Sequence, residues 1–152
     1  MELENKINAD IKQAMMAKES RKLEALRAVK AALLLAKTSK EAIGGELPEE
    51  AGLKLLQKLI KQRHESADLY KTGGREDLAE QELFQAGIIE QYLPKQLSED
   101  EIREGLQKII AVTGASGPKD MGKVMGMASK EFAGKADNKL VADLVKKLLL
   151  AN

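Results

Sequence analysis

Residues 98–114 read SEDEIREGLQKIIAVTG, and this stretch decides the fold. Ser98 followed three residues later by Glu101 is a capping-box pattern, in which the hydroxyl accepts the Glu101 amide and the Glu101 carboxylate reaches back to the Ser98 amide. Ile102, Leu106, Ile109 and Ile110 then recur at helical spacing, and Gly114 closes the run. A start signal, an apolar stripe and a stop signal agree on a helix. Downstream, Gly114-Ala115-Ser116-Gly117-Pro118 is turn chemistry, with Pro118 at the first position of a sixth helix that carries Met121, Val124, Met125, Ala128 and Phe132. Gly134 stops that helix. Asp137 is placed to cap a seventh, with Leu140, Val141, Leu144, Val145 and Leu148 inward.

Upstream, Pro94 ends a helix running from about Arg75 to Tyr92 on Leu78, Leu83, Ala86 and Ile89. Its interior Gly87 costs ~1 kcal/mol relative to alanine, which points to close packing or to simple tolerance. Before it, Pro48 suits the first position of a third helix, with Glu49 and Glu50 in its positive first turn and Gly73-Gly74 at its end. Leu55, Leu56, Leu59, Ile60, Ala67 and Tyr70 lie on one side of it. The second helix, N-capped by Ser20, turns Leu23, Leu26, Val29, Leu33 and Ala36 inward and gives way to a loop at Gly44-Gly45. The first uses Leu3, Ile7, Ile11, Ala14 and Met15. A break must separate these two, because an unbroken helix would put Lys18, Arg21 and Lys22 on the apolar stripe. With no strand alternation and no internal repeat, the chain is predicted to be all-α, with a four-helix N-terminal domain over 1–94 and a three-helix domain over 95–152.

Composition fits that class. Of 152 residues, 43% are hydrophobic but only two are Tyr, two Phe and none Trp, so the core is built from Leu, Ile, Val, Ala and Met, which favours helices. The absence of cysteine removes disulfides, thiolate zinc sites and thiol nucleophiles together, and suits a reducing compartment. The first sixteen residues lack the unbroken apolar run of a secretory signal, and no stretch reaches the ~20 apolar residues of a membrane span. A cytoplasmic protein is expected. Net charge is +1, but its distribution is uneven: Lys54 to Arg63 holds four basic residues and no acidic one, and Pro118 to Asn152 holds seven against four.

Catalytic chemistry is hard to find. His64 is the sole histidine, set in Lys61-Gln62-Arg63-His64-Glu65, and one imidazole without cysteine makes no transition-metal site. Ser20 and Ser98 read as caps, no serine sits in a nucleophile elbow, and Gly114 to Gly117 lacks the Gly-Lys-Ser/Thr ending of a phosphate loop. No catalytic residue, metal or cofactor is therefore expected. Met121 and Met125 share a stripe that reads as core. What remains are lysines. Lys54, Lys58 and Lys61 fall at i, i+4 and i+7, within about 11 Å on one helix face, a pattern that an ordinary solvated surface also produces.

The segments DIKQAMMAKESRKLEALRAVKAAL from Asp10, LIKQRHESADLYKTGGREDLAEQE from Leu59, YLPKQLSEDEI from Tyr92, DMGKVMG from Asp120 and GKAD from Gly134 together resemble the GatB/YqeY family. Those small proteins are related to the tail of the B subunit of glutamine-dependent tRNA amidotransferases. The resemblance implies an all-helical N-terminal part joined to a three-helix tail similar to the one those enzymes use to engage tRNA. The ammonia-generating and tRNA-activating sites of the amidotransferase lie elsewhere, and neither is visible here. The implied function is a tRNA-binding or tRNA-charging accessory protein, kin to a carbon–nitrogen ligase with glutamine as amido-N-donor but not expected to catalyse on its own. The alternative is an adaptor that docks on an amidotransferase or aminoacyl-tRNA synthetase without touching RNA.

Physical chemistry is compatible with tRNA as partner, because structured RNA is held through phosphates and shape, which calls for Lys and Arg, whereas four aromatic residues make no single-strand stacking platform; neither DNA nor a membrane is expected as partner. Lys119, Lys123, Lys135 and Lys139, close to the N-terminal ends of the sixth and seventh helices, are the expected phosphate contacts, with Lys54, Lys58 and Lys61 as a second set. Gly134 and Asp137 are expected to set geometry.

Overall fold

The computed structural model describes residues 2–151. Among these are seven α-helices and no strand, and the chain divides into two compact units, one ending at Leu93 and the other beginning at Pro94. No helix among the described residues is long and apolar enough to cross a membrane.

The first unit holds α1 (Glu2–Met16), α2 (Ser20–Ala36), α3 (Glu49–Thr72) and α4 (Glu76–Glu90). α3 and α4, joined by Gly73, Gly74 and Arg75, pack along one another as a hairpin, while α2 lies against α1, α3 and α4. Ile7, Leu26, Leu33, Leu56 and Ile89 are fully buried where these helices meet, each adding about 2 kcal/mol of apolar burial. The break after α1 has a cause the sequence did not advertise. Lys18 adopts a left-handed conformation (φ 56°), and the Glu19 and Lys18 amides donate back to the Ala14 and Met15 carbonyls at 3.0 and 3.2 Å, the paired bonds of a Schellman motif. Glu19, not Ser20, then occupies the cap position of α2, with no side-chain bond, and only Ala17 and Lys18 stand between it and the end of α1. The buried seam of α1 ends at Ala14, and Met15 is exposed rather than packed. Pro48 likewise sits one residue earlier than expected: it is extended (ψ 146°), and its carbonyl takes the first helical bond from Gly52 at 3.0 Å.

The second unit holds α5 (Glu99–Thr113), a 3₁₀ turn (Pro118–Asp120), α6 (Met121–Glu131) and α7 (Asn138–Ala151). The capping box forms as the sequence predicts, with Ser98 Oγ accepting the Glu101 amide at 3.2 Å and Glu101 Oε1 accepting the Ser98 amide at 3.0 Å. Gly114 ends α5 in the left-handed conformation (φ 68°). Ile102, Leu106, Val124, Val141, Val145 and Leu149 form the centre of a separate core, with Leu149 rather than Leu148 fully inside. Pro118 does not open α6 itself. It opens the 3₁₀ turn, in which the Asp120 amide bonds to the Gly117 carbonyl at 3.0 Å and the Met121 amide to the Pro118 carbonyl.

Candidate nucleic-acid interface

Lys119 and Lys123 stand where α5 hands over to α6. The loop between them and α5 is braced by Asp120, whose Oδ2 accepts the Ser116 amide at 3.0 Å. That bond, helped by the Gly117 amide and the charges of Lys119 and Lys123, holds the Asp120 carboxyl below the usual carboxylate range against the opposing effect of burial. The consequence for anion binding is direct. The Ser116, Asp120 and Met121 amides are engaged, by an internal carboxylate and by the 3₁₀ turn, and are not offered to a phosphate, which leaves the lysine side chains as the prominent donors.

Lys135 and Lys139 lie elsewhere. The Lys135 carbonyl accepts the Leu97 amide at 2.9 Å, immediately before the Ser98 cap, so this pair sits at the N-terminal end of α5. α5 is 15 residues long, which puts about 21 Å between its two ends. The four tail lysines are thus not one cluster but two pairs at opposite ends of a helix. Their surroundings differ too, since the α5 first turn beside Lys135 carries Glu99, Asp100 and Glu101, with Arg103 bound to the first two at 3.2 and 3.0 Å. Gly134 is buried in the left-handed conformation (φ 73°), and its carbonyl accepts the Gln96 side-chain amide at 2.7 Å. The Asp137 carbonyl takes the first bond of α7 from Val141 at 3.0 Å.

On α3 the expected face of three lysines is unequal. Lys54 is half-buried and pairs with Glu50, one turn earlier, at 3.1 Å, whereas Lys58 and Lys61 are exposed. Lys54 and Lys58 line a concavity of about 470 Å³ with Ala36, Leu47, Pro48 and Leu55. Glu41 and Glu50 also line it, the latter paired with Lys54. His64 is exposed, with Nε2 3.3 Å from Glu90 Oε1. Among the described residues no group of three or more His, Asp and Glu side chains is arranged to hold a metal ion.

Other polar contacts escaped the sequence reading. Tyr92 donates its hydroxyl to Asp10 Oδ2 at 2.5 Å, and Lys6 Nζ lies 5.6 Å from the ring centroid. Burial, then the Asp10 carboxylate, pushes the Tyr92 phenol well above its ordinary value. Arg21 grips both oxygens of Glu80 at 2.8 and 2.7 Å and stacks 4.1 Å from the Phe84 centroid. Lys37 pairs with Glu4 at 2.6 Å. Asp10 and Tyr92 both open segments that carry the family resemblance, yet eighty-odd intervening residues hide their pairing.

The family model described as Yqey-like protein matches residues 4–149. Altered inheritance of mitochondria protein 41, mitochondrial, of Meyerozyma guilliermondii is 35% identical over 129 residues, which are 83% of this chain and 66% of that protein. The protein of the same description from Pyrenophora tritici-repentis is 29% identical over 149 residues, covering 95% of this chain and 79% of that one.

Proposed function

We propose a function from one premise: this chain belongs to the YqeY-like protein family. It acts as a tRNA-binding accessory protein in tRNA charging, with its second unit as the RNA-engaging part and its location cytoplasmic. The observation that carries the reading is that Lys119, Lys123, Lys135 and Lys139 are exposed at the two ends of α5, while the sole aromatic residue of that unit, Phe132, is buried. Lysines without exposed aromatics suit phosphates rather than bases. Two pairs at opposite ends of a helix about 21 Å long suit a folded RNA, whose phosphates lie at fixed separations, better than a flexible single strand. Lys58 and Lys61 of the first unit form a second, smaller basic surface. Kinship with glutamine-dependent tRNA amidotransferases is part of the proposal. Amidation is not assigned to this chain alone, because among the described residues the carboxylates, serines and single histidine assemble no acyl-transfer constellation.

The test is binding of the purified protein to bulk tRNA across a range of salt. Lys123→Glu combined with Lys135→Glu, one substitution from each end, is expected to weaken binding and to flatten the salt dependence by roughly one unit of slope per lost contact, with an unchanged circular dichroism spectrum. Failure of the wild-type protein to bind tRNA would instead favour the adaptor that docks on an amidotransferase or synthetase.

A further inference from the structure

We infer that the outward face of α6, carried by Lys119, Lys123 and Lys130, is the principal RNA surface and that it takes double-helical RNA; this inference rests on the tRNA reading above. All three lysines are exposed, and none has an ion pair among the described residues. Lys123 and Lys130 are seven residues apart, two helical turns, so they project from one stripe about 10 Å apart, with Lys119 just before the helix. The buried stripe of Val124 and Ala128 faces the opposite way, into the core. Two carboxylates belong to this stretch: Asp120 at its start, engaged by the Ser116 amide, and exposed Glu131 just after Lys130.

The other end of the unit is electrostatically different. Lys135 and Lys139 lie beside the acidic first turn of α5, whose carboxylates offset their charge, whereas Lys119, Lys123 and Lys130 project from one helix face. The choice of a double helix follows from the donors. Phe132, at 6% exposure, offers nothing for an unpaired base to stack on, and lysine ammonium groups address phosphates as point charges. A double-helical stem presents rows of phosphates at fixed spacing, and such rows match lysines fixed on a helix.

The experiment measures affinity by fluorescence anisotropy for bulk tRNA, an RNA duplex of about 16 base pairs, and either strand alone, at several salt concentrations. The full chain with Lys119→Gln, Lys123→Gln and Lys130→Gln is expected to bind the duplex at least tenfold more weakly, with a salt slope lower by about two to three units. A control with Lys12→Gln, Lys40→Gln and Lys71→Gln removes the same charge from exposed sites of the first unit and is expected to match the wild type. Both variants should keep the wild-type thermal midpoint, since every substituted side chain is exposed. If the α6 variant binds tRNA and duplex as the wild type does, the inference is overturned while the tRNA reading survives, and the face is left for an acidic protein surface. Tighter binding of the single strands than of the duplex overturns the choice of double helix. Absence of salt-dependent tRNA binding by the wild type removes both.

Discussion

Gly87 and Gly105 both sit inside helices, and only one of them has a steric reason to be glycine. A Cβ added at Gly87 meets nothing within 4 Å, so of the two explanations its sequence position allowed, tolerance is the one that holds. At Gly105 the same atom would lie 2.6 and 2.9 Å from two ring atoms of buried Phe132. Opposite outcomes follow from one substitution. Gly87→Ala should raise stability by up to ~1 kcal/mol through helix propensity. Gly105→Ala should lower it by about 1–3 kcal/mol, because overpacking a ring outweighs that gain; urea midpoints of the two variants check both signs. Tyr92 gives the other residue-scale test. Its phenol is raised in the folded protein, first by burial and then by Asp10, from an ordinary value of 10.0. The proton is therefore held more tightly in the folded state, so the contribution is complete below about pH 10 and declines above it, as the unfolded chain ionises first. Tyr92→Phe should remove this alkaline loss when stability is compared between neutral pH and pH values above 10.

At the scale of elements, what was legible depended on whether a signal was local. The α5 cap needs only residues 98 to 101, and its four apolar residues, Ile102, Leu106, Ile109 and Ile110, are all buried. Replacing Ser98 with alanine should cost about 1 kcal/mol, seen as a lower thermal midpoint. Features set by backbone direction were not legible in this way. No composition rule marks Lys18 for a left-handed conformation normally taken by glycine, and Pro118 is equally at home in an α-helix and in the 3₁₀ turn it opens. The tail lysines show the same limit. Their positions near helix starts were readable, but whether two helix starts lie together depends on how α5 runs between them.

At the scale of the whole molecule, the two cores share no residue, and the segment that joins the units, though exposed at Lys95 and Gln96, is held by hydrogen bonds. Gln96 and Leu97 are tied to Gly134 and Lys135, whereas residues 38–46, between α2 and α3, carry an exposed Lys40 and a tight turn at Gly44-Gly45. Limited trypsin digestion should therefore cut at Lys40 before Lys95, with fragments identified by mass; first cleavage at Lys95 would mean that those two hydrogen bonds do not hold the segment. The sequence has no means of ranking the two segments, because the tie to Gly134 and Lys135 spans nearly forty residues. The pairing of Tyr92 with Asp10 also has an optical consequence. The chain has no tryptophan, and both tyrosines, Tyr70 and Tyr92, belong to the first unit. A carboxylate that accepts a phenol proton quenches its emission, so ultraviolet fluorescence should brighten when α1 leaves Tyr92. The second unit is dark at those wavelengths, and intrinsic emission therefore reports the unfolding of one half of the chain without a label.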